Sequence, residues 1–164
     1  AMYSQRGKIR IPSYVFILLL AVILGGYLFS GGLAGVNARA LEHAVEAIPE
    51  ESTQVSLNEL VPFEWDEVYT FGPYTSKEEI QSIIRLDSDA VKESVSEGMV
   101  QLVFVEWGKE RVVASVCAYP DNLGYDIRIP FNHGDEGYGV LRYEDNAVFS
   151  KSTENGVTVL TYLP

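Results

Sequence analysis

The sequence predicts an α+β protein that begins with an N-terminal transmembrane helix. A small domain follows, in which one or two helices pack on a largely antiparallel sheet of five to six strands. Three observations support this fold class: an uncharged run at residues 14–36, helix-capping patterns after it, and β-branched stretches separated by turn residues in the second half. Helices followed by strands in hairpins are typical of α+β domains.

The uncharged run has the length and composition of a membrane span. As a helix, its 23 residues would measure about 34 Å, and the hydrocarbon core of a bilayer is about 30 Å thick. A helix inside a soluble domain is seldom apolar on every side over this length. We therefore predict a transmembrane helix at residues 14–36 that contacts membrane lipid, after a basic tail at residues 1–13.

The charges on either side of the run predict its orientation. Arg6, Lys8 and Arg10 precede it, and all 23 acidic residues follow it. Basic residues favour the cytoplasmic side, so the N-terminus is expected in the cytoplasm and the remainder across the membrane. The predicted protein is a single-pass protein of the cell membrane, with a stalk and linker at residues 37–54 and an extracytoplasmic domain at residues 55–164.

The segment beyond the run is strongly acidic. Three of the 12 basic residues precede the run, which leaves 9 basic against 23 acidic residues, a net charge of −14. Nucleic acid is not expected as a partner of such a surface, because binding to phosphates requires basic residues. A protein partner in the cell envelope is compatible with this charge.

A cleaved signal peptide is the alternative to a permanent anchor. Ala38, Arg39 and Ala40 have the small-x-small form of a cleavage site. The apolar region is longer than the about 7–15 residues of a signal peptide, and its strongest part ends near Phe29, far from Ala40. We favour the uncleaved anchor, and cleavage near Ala40 is left open.

Small residues recur in the run at four-residue spacing. Gly26, Ser30 and Ala34 form one ridge, and Gly31 and Gly35 form a second. Ridges of this kind let two membrane helices pack closely. They predict pairing with a second copy of the chain or with another membrane protein.

Short helices are expected next. Leu41, Val45 and Ile48 recur at helical spacing and extend the stalk as a helix. Ser56 and Glu59 have the spacing of a capping box, which predicts one helical turn.

A strand and further helix signals follow. Alternating residues predict a strand at 66–71, and Ser76 with Glu79 predicts a capped helix at 77–84. A second short helix is expected within 87–98.

The remaining chain reads as strands. "MVQLVFVEW" and "RVVASVCAY" are joined by GKE at 108–110, "GYGVLRYED" and "NAVFSKST" by DN at 145–146, and "GVTVLTYLP" follows NG at 155–156. Each junction has the composition of a hairpin turn. "YDIRIPF" is a shorter strand ended by Pro130.

The densest group of polar and aromatic residues lies at 63–74 and gives the first candidate contacts: Trp65, Asp66, Tyr69 and Tyr74. Trp65, Tyr69 and Phe71 are expected on one face of the strand, where core packing is an alternative role for them. The stretch "FEWDEVYTFGPYTSKEEI" resembles a pattern, F-x-W-D-x-V-Y-x-F followed by P-Y-T, of small, uncharacterised bacterial secreted or membrane-anchored proteins. The resemblance implies a bacterial envelope protein.

A second candidate group lies in the glycine-rich stretch "NHGDEGYG", where His133 and Asp135 are possible ligand contacts. One histidine beside adjacent carboxylates provides too few converging ligands for a metal. Cys117 lies in an apolar stretch and is interpreted as a structural thiol. No phosphate-binding glycine loop and no nucleophile elbow occurs in the sequence. We therefore expect no metal, no cofactor and no assigned catalytic residue.

Three hypotheses follow in order of preference. The first is a membrane-anchored domain that binds a protein or an envelope component without catalysis. The second is an accessory subunit that acts through its transmembrane helix. The third is an envelope hydrolase that uses His133 with Asp135 or Glu136.

Overall fold

The computed structural model describes residues 12–29 and 31–164, and it has an α+β fold. Within these residues there are five α-helices and two four-stranded sheets. The helices are α1 (Ser13–Phe29), α2 (Gly32–Glu46), α3 (Leu57–Leu60), α4 (Lys77–Ile84) and α5 (Pro120–Leu123). The strands are β1 (Gln54–Ser56), β2 (Glu67–Phe71), β3 (Val100–Glu106), β4 (Arg111–Ala118), β5 (Tyr125–Arg128), β6 (Tyr138–Arg142), β7 (Val148–Glu154) and β8 (Val157–Leu163).

The strands form two sheets, in the orders β4-β3-β2-β6 and β1-β7-β8-β5. Every neighbouring pair is antiparallel except β5 and β8, which run parallel. The α+β class and the largely antiparallel pairing are confirmed. The expected single sheet of five to six strands is wrong, because short β1 carries no alternating pattern and the chain divides its strands between two sheets.

The first sheet lies between two apolar cores. The inter-sheet core joins both sheets and includes Val68, Phe104 and Phe149, whereas the α4 core lies on the opposite face and includes Tyr69 and Ile80. Consecutive residues of a strand point to opposite faces, so β2 sends neighbouring side chains into different cores. β2 is therefore buried on both sides.

Helix α2 is part of the folded domain rather than a stalk. Its Leu41 and Val45 are buried in the inter-sheet core. The Asn37 side chain donates a hydrogen bond of 2.8 Å to the carbonyl oxygen of Val113, which is left unpaired at a bulge between β3 and β4. The predicted stalk at residues 37–54 therefore contributes α2 and β1 to the domain, which begins upstream of residue 55.

The predicted continuous helix at residues 14–36 is interrupted. Gly31 and Gly32 have positive φ angles of 83° and 64°, and the helices on either side are bent by 71° relative to each other. Such φ angles suit glycine and end a right-handed helix. Among residues 12–29 and 31–164, no single helix is long and apolar enough to cross a membrane, whereas α1 and α2 taken together meet that criterion. Most of the predicted basic tail lies outside the described residues.

Two of the three predicted hairpins are confirmed. β3 pairs with β4, and β7 pairs with β8 across Asn155 and Gly156, which both have positive φ. The predicted pairing of β6 with β7 is wrong, because β6 pairs with β2 and β7 pairs with β1 and β8. Asp145 of the DN turn ends a 3-10 segment, Tyr143–Asp145, and Asn146 follows it; this segment carries the chain from one sheet to the other. The helix expected within residues 87–98 is also absent, and turns replace it.

Candidate functional site

A groove crosses the first sheet at the end where β2 begins and β3 and β6 finish. It consists of three adjoining cavities, which we call the aromatic cavity (about 630 Å³), the middle cavity (about 570 Å³) and the arginine cavity (about 490 Å³). Asp66 and Tyr143 line both the aromatic and the middle cavity. Trp107 and Arg142 line both the middle and the arginine cavity. The shared residues place the three cavities side by side, and together we call them the groove.

Glu67, the first residue of β2, is the central acceptor of the groove. Its Oε2 accepts hydrogen bonds from the Tyr69 hydroxyl at 2.5 Å and from Trp107 Nε1 at 2.9 Å, and its Oε1 accepts from Arg142 Nε at 3.2 Å. The sheet register creates this arrangement, since Glu67 pairs with Val105 on one side and with Arg142 on the other. Three strands therefore hold one carboxylate in a fixed position.

Tyr69 remains a proton donor to this carboxylate. Burial raises the pKa of the Tyr69 phenol far above its ordinary value, and the hydrogen bond to Glu67 raises it further. The phenol is therefore protonated at physiological pH, and Glu67 does not compete with a second negative charge. Arg142 supplies the countercharge at the solvent side, where its side chain is 60% exposed.

His133 and Tyr138 form a stacked wall of the arginine cavity. Their ring centroids are 4.5 Å apart and their planes differ by 8°. His133 Nδ1 lies 3.1 Å from the side-chain oxygen of Asn132, and Asn132 in turn bonds both backbone groups of Val140. The loop is thus tied to β6, which positions the histidine as an aromatic wall. Burial, followed by the nearby Glu136, raises the pKa of the Tyr138 phenol.

Arg85 completes the arginine cavity from the other side. It follows the last residue of α4 in the left-handed conformation, with a φ of 54°. Its side chain is exposed, and within the part of the chain that the structure describes it makes no hydrogen bond or ion pair. The neighbouring Ile80 and Ile84 are fully buried and anchor the end of the helix.

Trp65 is the buried wall of the aromatic cavity. It is 4% exposed and meets Phe104 and Tyr143 edge-on, at centroid distances of 5.7 and 5.4 Å. The Trp65 indole nitrogen and the Asn58 side-chain oxygen are buried, and neither has a hydrogen-bond partner among the described residues. The next residue, Asp66, accepts a hydrogen bond of 2.6 Å from the backbone nitrogen of Trp107. This bond fixes the turn that follows β3.

The groove gathers four of the six contact residues that the sequence suggested: Trp65, Asp66, Tyr69 and His133. Tyr74 does not line it. Tyr74 follows the opposite end of β2, is 65% exposed, and donates its backbone N–H to Ser94. Asp135 is exposed in a 3-10 turn and does not line the groove. The structure shows no contact between His133 and Asp135 within the described chain.

The expected shared face of Trp65, Tyr69 and Phe71 is wrong. β2 begins only at Glu67, so the alternation does not extend back to Trp65. Trp65 lies in the inter-sheet core, whereas Tyr69 and Phe71 lie in the α4 core.

Sequence reasoning missed five polar or aromatic residues of the arginine cavity: Glu67, Arg85, Trp107, Tyr138 and Arg142. Trp107 and Arg142 lie 40 and 75 positions from the carboxylate that they bond. No local spacing rule connects residues so far apart. The available signal was that Trp107 ends a predicted strand, whereas Arg142 lies inside the predicted stretch GYGVLRYED.

The predicted small-residue ridges are divided by the bend. Gly26 lies in α1, where an added Cβ would meet no atom within 4 Å. Gly31, Ala34 and Gly35 line a separate cavity of about 370 Å³ together with residues of the domain, and Ala34 is 6% exposed. Ser30 lies outside the described residues. Three of the five small residues thus contact the chain's own domain.

Other reactive groups of the chain are dispersed. Cys117 Sγ donates weakly to the Glu93 carbonyl oxygen at 3.6 Å, and burial raises the pKa of its thiol. Among residues 12–29 and 31–164, no group of three or more histidine, cysteine, aspartate or glutamate side chains is placed to hold a metal ion. The groove is therefore the main concentration of polar and aromatic side chains in the described structure.

No family model, no curated protein and no solved structure matches this chain.

Proposed function

We propose that the protein is a membrane-anchored binding module of the cell envelope. Helix α1 is the anchor, and the acidic domain lies outside the cytoplasm with its groove open to a protein or another envelope component. Basic residues before α1 and acidic residues after it favour this orientation. The resemblance of the 63–80 segment to bacterial envelope proteins agrees with the same location.

The exposure of α1 is the observation that carries the proposal. Its apolar side chains are exposed on every side, including Phe16 at 62%, Ile17 at 65%, Leu24 at 58% and Leu28 at 66%. An apolar surface of this kind is unfavourable in water and marks contact with lipid or with another protein. As a helix of 17 residues, α1 is about 25 Å long, and bilayers adapt to a short span by local thinning.

The groove supports binding rather than catalysis. Both carboxylates at its centre already accept hydrogen bonds: Glu67 from three donors, and Asp66 from the backbone of Trp107. Aromatic walls beside fixed polar groups are typical of ligand sites. A hydrolase would require a nucleophile or an activated water beside a free base, and His133 is engaged with Asn132 and Tyr138.

Membrane extraction tests the anchor. The full chain is expressed, and membranes are washed with high salt and alkaline carbonate. We expect the wild type to remain in the membrane pellet. Replacing Leu20 and Ile23 together by lysine should release it, because a lysine at the centre of a span costs about 2.5–3.5 kcal/mol on the insertion scale. The matched control, Leu20→Ala with Ile23→Ala, should stay in the pellet.

One result would contradict the anchor directly. If the wild type is recovered wholly in the soluble fraction while mass spectrometry shows its first forty residues intact, α1 is not embedded in lipid. A chain that begins near Leu41 would instead show cleavage of a signal peptide.

Thiol labelling tests the orientation. In a Cys117→Ser background, Ser152→Cys places a single thiol on the exposed part of β7. A membrane-impermeant maleimide should label this thiol in intact cells. The matched variant, Ser4→Cys, should be labelled only after the cells are permeabilised. The reverse pattern would place the domain in the cytoplasm.

A further inference from the structure

We propose that the arginine cavity binds a singly charged acid group, a carboxylate or a phosphodiester, carried by the ligand of the groove. This inference rests on the proposed binding function and names the chemistry that the site selects. Arg85 and Arg142 would hold the acid group, and the rings of Trp107, Tyr138 and His133 would contact the part of the ligand next to it.

The local charge is opposite to that of the surrounding domain. The residues that line the arginine cavity include Arg85 and Arg142 but only one carboxylate, Glu67. The segment from residue 39 onward carries 23 acidic and 9 basic residues. A cationic cavity in an acidic surface attracts anions locally while the rest of the domain repels them, which favours one binding position.

Both arginines have side-chain N–H groups that make no hydrogen bond in the described structure. Arg142 reaches Glu67 through Nε alone, and among the described residues its two terminal nitrogens make no hydrogen bond. The Arg85 side chain makes no hydrogen bond or ion pair in the same part of the chain. Guanidinium groups match carboxylates and phosphate oxygens with paired donors.

The backbone of Arg85 also suggests a role for its side chain. A left-handed residue after a helix is usually glycine, which adopts this conformation without strain. Here an arginine takes that position, and its N–H closes the helix on the Gln81 carbonyl oxygen. This position at the end of α4 is where Arg85 lines the cavity.

The charge balance favours a monoanion. Glu67 offsets one of the two arginines, so the lining carries a net charge of about +1 at neutral pH. A dianion would leave an excess negative charge next to the Glu67 carboxylate. Outside the lining, Glu136 adds to burial in raising the pKa of the Tyr138 phenol, and Glu144 and Asp145 add to Glu67 in raising the pKa of Arg142, so these three outer carboxylates limit the positive potential further.

A titration followed by NMR tests this inference. The full chain in non-ionic detergent is titrated with three probes: methyl glucuronoside, its neutral methyl ester, and glycerophosphoglycerol. The reporter is the indole N–H of Trp107, which donates to Glu67 inside the cavity. The chain has two tryptophans, and Trp65 in the aromatic cavity serves as the internal reference. Trp107→Phe removes one signal and thereby assigns it.

We expect a saturable shift of the Trp107 signal with an acid probe and binding at least about tenfold weaker with the ester, because charged hydrogen bonds contribute about 1.5–3 kcal/mol. Saturation by the glucuronoside alone would assign the acid group to an acidic glycan. Saturation by the phosphodiester alone would assign it to a phosphate polymer or a lipid headgroup. Either result supports the proposal.

Two matched variants test the role of Arg85. Arg85→Gln should weaken binding of the acid probe by about tenfold. Arg39→Gln removes another exposed arginine without a partner in the described structure, and it should change binding less than about twofold, since it lies outside the cavity.

Three outcomes would overturn the inference: equal binding of acid and ester, equal effects of Arg85→Gln and Arg39→Gln, or no shift of the Trp107 signal with any probe. If the chain still stays with carbonate-washed membranes in such a case, only the ligand chemistry is wrong. Loss of membrane retention would instead overturn the anchor, whatever the probes show.

Discussion

Helices α1 and α2 follow each other in sequence but meet different environments. Almost every residue of α1 is apolar and exposed, whereas α2 buries only one stripe, which includes Leu41 and Val45, and leaves its remaining face polar. The change occurs at Gly31 and Gly32, where the backbone turns out of the helical conformation. Hydrophobic content groups residues 32–36 with α1, whereas the helical spacing of Leu41 and Val45, which was interpreted as a stalk, marks the buried stripe of α2.

Removing α1 alone, or α1 together with α2, should give the largest difference in the stability of the domain. A chain that begins at Gly31 loses α1 but keeps the whole inter-sheet core, so we expect a cooperative thermal transition. A chain that begins at Ala47 loses α2, including two core side chains that are each worth about 1.5–3 kcal/mol in burial alone. Since domains are stable by only about 5–15 kcal/mol, the shorter chain should be largely unfolded by circular dichroism. Equal melting of both truncations would show that α2 is dispensable.

The next largest effect should come from single leucine substitutions, which compare how much α2 and α1 contribute to the free energy of unfolding. Leu41 is fully buried, and Leu41→Ala should lower the free energy of unfolding of the domain by about 2–5 kcal/mol in chemical denaturation. Leu20→Ala makes the same chemical change on the exposed surface of α1, where its effect on the domain should stay within about 0.5 kcal/mol. A similar loss in both variants would mean that α1 also packs on the domain.

The next largest effect should come from substituting a glycine at the bend between α1 and α2. Gly31→Ala forces a side chain into the left-handed region, which costs about 1–2 kcal/mol, although its Cβ would meet Gly35 at an ordinary 3.6 Å. Gly25→Ala is the control, because it lies inside α1 with no atom within 4 Å of an added Cβ. Double electron–electron resonance between spin labels on α1 and α2 would report the bend. An unchanged distance in Gly31→Ala would contradict the glycine requirement.

The smallest effect concerns the attachment of α2 to the sheet. Asn37→Ala removes the hydrogen bond to the unpaired carbonyl of Val113 and should lower the free energy of unfolding by about 1 kcal/mol. Arg39→Ala, on the exposed side of the same helix, should have an effect close to zero. Hydrogen exchange of β4 amides near Val113 would show whether the loss is local.

Local chemistry made several elements predictable. The capped helix expected at residues 77–84 is α4, and the Ser76 hydroxyl accepts the Glu79 N–H at 3.2 Å. The turn predicted from Ser56 also exists as α3, although the Ser56 side chain makes no capping hydrogen bond. These features depend on residues within four positions of each other, so the sequence reveals them directly.

Pairings over long distances were not predictable in this way. The signals for β6 and β7 resembled a hairpin, but the partner of β6 is β2, about seventy residues earlier. The same limit applied to the groove, where Glu67 bonds residues 40 and 75 positions away. Aromatic density pointed to Trp65 and Tyr69, which line the groove, and equally to Tyr74, which does not, because density does not show which end of a strand a residue occupies.

The double burial of β2 has a consequence for how this protein can vary. The strand that carries Glu67 is fixed by apolar layers above and below it, so most exchanges along its length would disturb the whole interior. Arg85 and Tyr143 stand at the rim, exposed and supported from elsewhere. Under the proposed binding function, ligand selectivity would be altered by substitutions at the rim, while the carboxylate at the centre stays in place.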